Sequence, residues 1–291
     1  MTASAVPLEQ PATEPPPRRK RSWKKVLSSV MWYSAAVVMA LFIILPIYLI
    51  FVSATTPDFA TYHYPKSVIP EGISTDNIES FITAAGVVDA FWRSVMAGVI
   101  TVVLALGIGA PAGYAIARYA FRGRDGYRLT VLATRAFPIV ILSIPLAVMY
   151  RQIGIFDSVL GVALMHTALA LPFAVLITAS VFVSIPRELE EAAQTLGCSP
   201  GRAFLKVSLP LALPGLTAAA IFTWVLSWND VFAAAILTLR NPTLPARILT
   251  SLTQASLPWQ FAAAFIMLVP SLIVIFIIRK YLLGLWGRVV K

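Results

Sequence analysis

Charge is scarce in this sequence: only 12% of its 291 residues are Asp, Glu, Lys or Arg, about half the roughly 25% of an average soluble chain. With 58% hydrophobic residues and a mean hydropathy of +0.81, that shortage excludes a water-soluble fold. Cysteine is nearly absent. Cys198 alone excludes an intramolecular disulfide framework and any multi-cysteine metal or iron–sulfur centre, and a single cytoplasmic cysteine reads more readily as inert than as a redox switch. The two histidines, His63 and His166, lie far apart and form no metal-ligand spacing. The sequence also lacks a phosphate-binding loop, a His-Glu-x-x-His motif, paired aspartates within its apolar runs and a serine–histidine arrangement. Nothing therefore marks the chain as an ATPase or an intramembrane enzyme.

What is present is a series of long apolar runs, at about 26–54, 91–117, 129–150, 158–183, 211–238 and 261–283. Each is long enough for the roughly 20 helical residues of a bilayer crossing, unlike the short alternating stretches of a β-barrel. The expected fold class is all-α, a polytopic membrane protein with six transmembrane helices over 26–291. The first 25 residues hold five prolines and then Arg18, Arg19, Lys20, Arg21, Lys24 and Lys25, the composition of a disordered tail. The apolar run after it far exceeds the 7–15 residues of a signal peptide, so it reads as a retained first span. Basic residues give a formal net charge of +10 and gather in alternate connectors: six in the tail, four in 118–128, three in 184–210 and four at the C-terminus. By the positive-inside rule both termini are cytoplasmic. The outer face then receives a loop, 55–90, carrying Asp58, Glu71, Asp76, Glu79 and Asp89.

The sizeable inner connector, 184–210, is polar and helix-favouring, with the grammar of two short helices around a bend. Pro186 suits a first turn, and Glu188, Glu190 and Glu191 lie at the positive end of that helix dipole, on what reads as an exposed start. Gly197 can end the helix in a left-handed conformation, and Ser199 and Pro200 fit an N-cap and N1 of the next. Ala192 and Ala193 leave a low surface before Leu196 that can seat in a partner's groove. Glu190 and Glu191 as an acid/base pair is the weaker reading, because no nucleophile or pocket accompanies them.

The connector resembles the signature of the membrane subunits of ATP-binding-cassette importers: Glu191, Ala192, Ala193, Gly197, Val207, Leu209 and Pro210 fill its fixed spacing, with valine where isoleucine is commoner. Arg118 with Phe121-Arg122-Gly123-Arg124, Phe137-Pro138, Ile144-Pro145-Leu146, Leu171-Pro172-Phe173, Pro214-Gly215-Leu216 and Trp228-Asn229-Asp230 resemble the maltose-type carbohydrate permeases, over roughly 30–285. The resemblance implies a type I importer permease that does no covalent chemistry. It implies a second, non-identical permease as partner, two ATPase subunits that hold ATP and Mg, and an extracytoplasmic sugar-binding protein, all at a bacterial inner membrane. It assigns coupling to the ATPase to Glu190, Glu191, Ala192, Ala193, Leu196, Gly197, Leu209 and Pro210, and expects uncoupling from Gly197→Pro or a bulky residue at Ala193. Because the signature is shared across branches, a carrier of amino acids, phosphate or another small polar solute stays open.

Ionisable residues inside apolar runs are costly and normally face a cavity or a partner. Arg135 and Asp230 are two such residues, placed by 1.5 Å per residue about 10 Å and about 29 Å from the cytoplasmic side, too far apart to pair in straight helices. With Trp228 and Asn229 they are the candidates for a substrate pathway; an interfacial aromatic belt is the alternative for Trp228-Asn229-Asp230. His166 reads equally as a proton relay, a substrate contact or a hydrogen-bonded bundle residue. Gly107, Gly109 and Gly113 lie within an apolar run, where close helix packing through Gly109 and Gly113 is a better account than a nucleotide loop. Pro46, Pro111, Pro138, Pro145, Pro172, Pro214 and Pro270 are expected to kink helices or free carbonyls.

Overall fold

A computed structural model describes residues 23–64, 69–70, 72–252 and 254–286, with the side chains of 24–26, 135 and 278–286 outside that description. The described residues are helical and contain no strand. In order they form α1 (Trp23–Thr55), α2 (Asp58–Thr61), α3 (Asp76–Thr83), α4 (Val87–Arg118), α5 (Arg124–Ala133), α6 (Ile139–Gln152), α7 (Val159–Val183), α8 (Glu188–Thr195), α9 (Pro200–Ala203), α10 (Leu209–Asn229), α11 (Phe232–Leu237), α12 (Leu244–Ser251) and α13 (Leu257–Trp286). Of the segment expected to be a disordered tail, residues 1–22 lie outside the described residues; Trp23 already begins α1. The chain up to Leu49 is one compact unit, and Ile50 onward is a second, which contains everything considered below.

Among the described residues, five helices are long and apolar enough to cross a membrane: Leu27–Thr55, Val87–Arg118, Val159–Val183, Pro200–Asn229 and Leu257–Ile277. The third expected span, 129–150, is not one helix. α5 ends at Ala133, a 3-10 turn covers Thr134–Ala136, and α6 starts at Ile139 with 14 residues. At 1.5 Å per residue α6 is about 21 Å long, short of the roughly 30 Å hydrocarbon core. Pro138 is the cause: it lacks an N–H, and its ring drives Phe137 out of the helical region to ψ 122°. The other prolines within helices, Pro46, Pro111, Pro145, Pro172, Pro214 and Pro270, leave those helices unbroken.

The expected run 211–238 is broken as well. Asp230 leaves the helical region at ψ 123°, and α11 starts two residues later, its Ala234 N–H donated to the Asp230 carboxylate at 2.9 Å. At its other end this helix begins earlier than expected, since α9, a π-turn at Phe204–Ser208 and α10 run on as one helix.

α4, α7 and α10 pack against one another and form the centre of this unit. Their contacts use small residues, which let backbones approach where lipid offers no hydrophobic drive. At Gly113 of α4 an added Cβ would stand 2.1 Å from Thr178 Oγ1 and 2.7 Å from the Ala179 nitrogen, and at Gly109 2.9 Å from Ala174 Cβ. The Thr178 hydroxyl donates to the Gly109 carbonyl at 2.8 Å, so Gly109 and Gly113 serve helix packing, while Gly107 faces open space.

Candidate functional site

The 184–210 connector folds as a short helix, a tight turn and the first turns of the long helix. α8 ends in a two-bond cap: Cys198 N–H donates to the Ala193 carbonyl at 3.0 Å and Gly197 N–H to Gln194 at 2.9 Å. Gly197 stands at φ +90°, a left-handed conformation that favours glycine. Ser199 precedes Pro200 at the start of α9, as expected, although its side chain makes no capping bond. Glu191, Ala192 and Leu196 face out, Leu196 with 87% of its surface exposed, and Ala193 is half-buried. Leu209 and Pro210 open α10, Leu209 packing beside Phe182 and Ala212.

Glu190 departs from the exposed start expected of it and is buried, 4% exposed. Its Oε1 accepts from Arg118 Nε at 2.7 Å and lies 2.6 Å from Arg118 Nη2; its Oε2 accepts from the Tyr114 hydroxyl at 2.7 Å. Arg118 Nη2 also donates to the Ile185 carbonyl at 2.9 Å, and Arg187 donates to the Arg118 carbonyl. Tyr114 packs against Phe182 and Phe204 with ring centroids 5.3 and 4.5 Å away. Buried Ser208, in the π-turn, faces the same carboxylate without a well-formed hydrogen bond. Burial works to raise the Glu190 carboxyl, but Tyr114, Ser208 and Arg118 outweigh it and hold it below the usual carboxylate range. The inward side of α8 is thus fastened to the end of α4 by charge-assisted bonds, and its outward side is exposed among the described residues.

A cavity of about 760 Å³ opens where both broken segments meet α7. Tyr127, Thr134, Phe137 and Pro138 contribute from the α5–α6 side, and Asn229 and Asp230 from the end of α10. Depths counted along straight helices do not apply here, because breaks at Pro138 and Asp230 bring Thr134 and Asp230 to one cavity. Arg135 sits in the 3-10 turn beside Thr134; its side chain lies outside the described residues. Trp228 is not part of this wall. It is 1% exposed, stacks on Trp224 at 5.8 Å, and donates its indole N–H to the Met267 carbonyl at 2.9 Å, so its ring packs within the bundle. A tryptophan next to polar residues reads in sequence as a sugar platform or a belt residue, and its packing partners carry no sequence signal.

His166 is buried on α7, with Nδ1 2.8 Å from Ser227 Oγ and Nε2 3.1 Å from Asp230 Oδ2. Sequence spacing gives no sign of this trio, nor of Tyr114 and Arg118 as partners of Glu190. A further unforeseen tie is Asp157, at φ +59°, whose carboxylate accepts the N–H groups of Leu239, Arg240 and Asn241 at 2.8–3.1 Å. Partial burial pulls its carboxyl upward, but these backbone donors and the Asn241 side chain prevail and lower it.

The sequence model of a binding-protein-dependent transport system inner membrane component matches residues 105–283. The chain is 34% identical over 231 residues to the trehalose transport system permease protein SugB of Mycobacterium tuberculosis, covering 77% of this chain and 84% of that protein. It is 28% identical over 278 residues to the diacetylchitobiose uptake system permease protein DasC of Streptomyces coelicolor, covering 92% and 99%. Among solved structures, one from a bacterial ABC transporter involved in the import of the acidic polysaccharide alginate superimposes with a TM-score of 0.70 at 20% identity, over 91% of this chain and 99% of that one, a likeness of fold. With the family model covering more than half of its length, the chain belongs to the binding-protein-dependent transport system inner membrane components, the permease subunits of ABC importers, and is not an enzyme.

Proposed function

We propose that this chain is the permease of an ATP-driven importer of a carbohydrate or polyol in a bacterial cytoplasmic membrane. Its partners are two ATPase subunits that hold ATP and Mg, a second, non-identical permease and an extracytoplasmic sugar-binding protein. The relatives named for trehalose and diacetylchitobiose transport support the substrate class. The observation that carries the coupling role is the two-sidedness of α8. Ala192, Leu196 and Gly197 form an exposed tip that would seat in an ATPase groove, with Glu191 a charged contact beside it, while Glu190 locks the same helix to Arg118 and Tyr114. Closure of the ATPase dimer displaces the tip, the buried ion pair carries α4 with it, and α9–α10 moves as one piece from Pro200 to Asn229 at the cavity wall. Alternating access follows from movement of these walls.

Co-purification in mild detergent followed by mass spectrometry, with ATP hydrolysis measured against added sugars and binding protein, tests the assembly. Leu196→Asp tests the tip. Because Leu196 makes no packing contribution to speak of in this chain, folding and insertion are expected to persist while the ATPase co-purifies at about one-tenth of its level or less, the loss of an apolar anchor in a desolvated interface. Full ATPase retention by Leu196→Asp would rule the tip out as the docking element.

A further inference from the structure

The break at Asp230 sets a carboxylate at the cavity wall in a defined orientation. Oδ2 accepts from the Ala234 N–H at 2.9 Å and faces His166 Nε2 at 3.1 Å; since a carboxylate only accepts, Nε2 carries the proton of that bond. The other ring nitrogen of His166 is taken by Ser227, so the imidazole, 1% exposed, cannot swing away without leaving buried polar groups unpaired. Oδ1 receives no hydrogen bond from the described residues, and Asp230 lines the cavity next to Asn229, whose side-chain amide donates to the Val225 carbonyl. Asp230 and Tyr127 are the ionisable groups among the described lining residues. Much of the remaining lining is apolar, including Phe137, Leu142, Leu146 and Met165.

We propose that Asp230 is the anchor of a substrate site in this cavity, accepting a hydroxyl pair of an uncharged sugar or polyol, and that His166 is the positioning residue that aims it. The proposal rests on the carbohydrate reading above. A carboxylate is the strongest acceptor available for hydroxyl donors, and apolar walls receive the C–H faces of the same ring. An anionic sugar would bring like charge to a low-dielectric wall that holds its own carboxylate fixed, so the site discriminates by charge as well as by hydrogen bonding.

The test uses the whole importer in proteoliposomes with saturating binding protein, and reads labelled sugar taken up per ATP hydrolysed. Trehalose, maltose, diacetylchitobiose and glucuronate, with labelled amino acids and phosphate beside them, are offered first to the unaltered complex. Uptake of a labelled amino acid or phosphate with none of the first three carried overturns the carbohydrate reading, and the proposal with it; uptake of glucuronate overturns the proposal alone. With a transported neutral sugar, Asp230→Asn is expected to lower sugar per ATP about tenfold, the loss of hydrogen bonds to a charged acceptor. Monodeoxy analogues give the readout that a merely structural role would leave unmoved. One of them should cost the unaltered complex about as much as Asp230→Asn does, and cost the Asp230→Asn complex nothing further. His166→Leu is expected to reproduce Asp230→Asn, and His166→Gln, which keeps a donor towards Oδ2, to recover most of the coupling. Should Asp230→Asn fail to assemble, the His166 pair carries the same comparison. Unchanged sugar per ATP and unchanged analogue discrimination in either variant would overturn the proposal.

Discussion

Glu190 and Arg118 hold each other out of water, each with 6% of its side chain exposed, so removing one leaves an uncompensated charge rather than a missing bond. Glu190→Ala or Arg118→Ala is expected to destabilise the bundle by about 3–5 kcal/mol, read as a lowered Tm in detergent, whereas an apolar pair of similar volume at both positions restores much of it. The Glu190 carboxyl is depressed on folding, so its contribution is complete above the ordinary carboxylate range and is lost as the pH falls through its folded value. Asp157 is depressed too and adds stability of the same sign. Tm is therefore expected to be flat above about pH 5 and to fall below it, with a shallower acid limb in Glu190→Gln. The burial of Glu190 was not legible in sequence. Three glutamates in four positions read as one solvated face, and the residue that distinguishes them, Arg118, lies 72 residues away.

Helices read well where apolar length decided them and poorly where a single residue ended them. The first, second, fourth and sixth runs are close to α1, α4, α7 and α13, and the turn at Gly197 follows the residue types that predict it. Pro138 and Asp230 cut the remaining two runs, because hydropathy averages over a window and neither one proline nor one aspartate changes that average. The other proline-bearing helices continue, so a proline by itself does not predict a break. Close packing of α4 on α7 was legible from glycine spacing. Gly113→Ala places a methyl against Thr178 Oγ1 and the Ala179 backbone and is expected to cost about 1–3 kcal/mol, with a lowered Tm and yield; Gly107→Ala, which meets nothing within 4 Å, is expected to leave both unchanged.

For the molecule as a whole, the proposed coupling connector and the cavity lie towards opposite ends of one long helix, Pro200–Asn229. Gly197→Pro tests the connector end. A proline ring fixes φ near −65°, against +90° at this turn, and removes the N–H donated to Gln194. The turn is expected to lose about 3 kcal/mol or more, and in proteoliposomes ATP hydrolysis should persist while uptake falls. A partner and a tip were expected from the sequence, but the route we propose from them was not, because Arg118, Tyr114 and the π-turn carry no motif of their own. The helix from Pro200 to Asn229 spans 30 residues, with the π-turn at Phe204–Ser208 near its start. That is about 45 Å of rod, so each degree of tilt at its cytoplasmic end shifts Asn229 by about 0.8 Å. On the proposed coupling, about ten degrees of tilt at the membrane surface would carry the cavity wall at Asn229 about 8 Å by leverage.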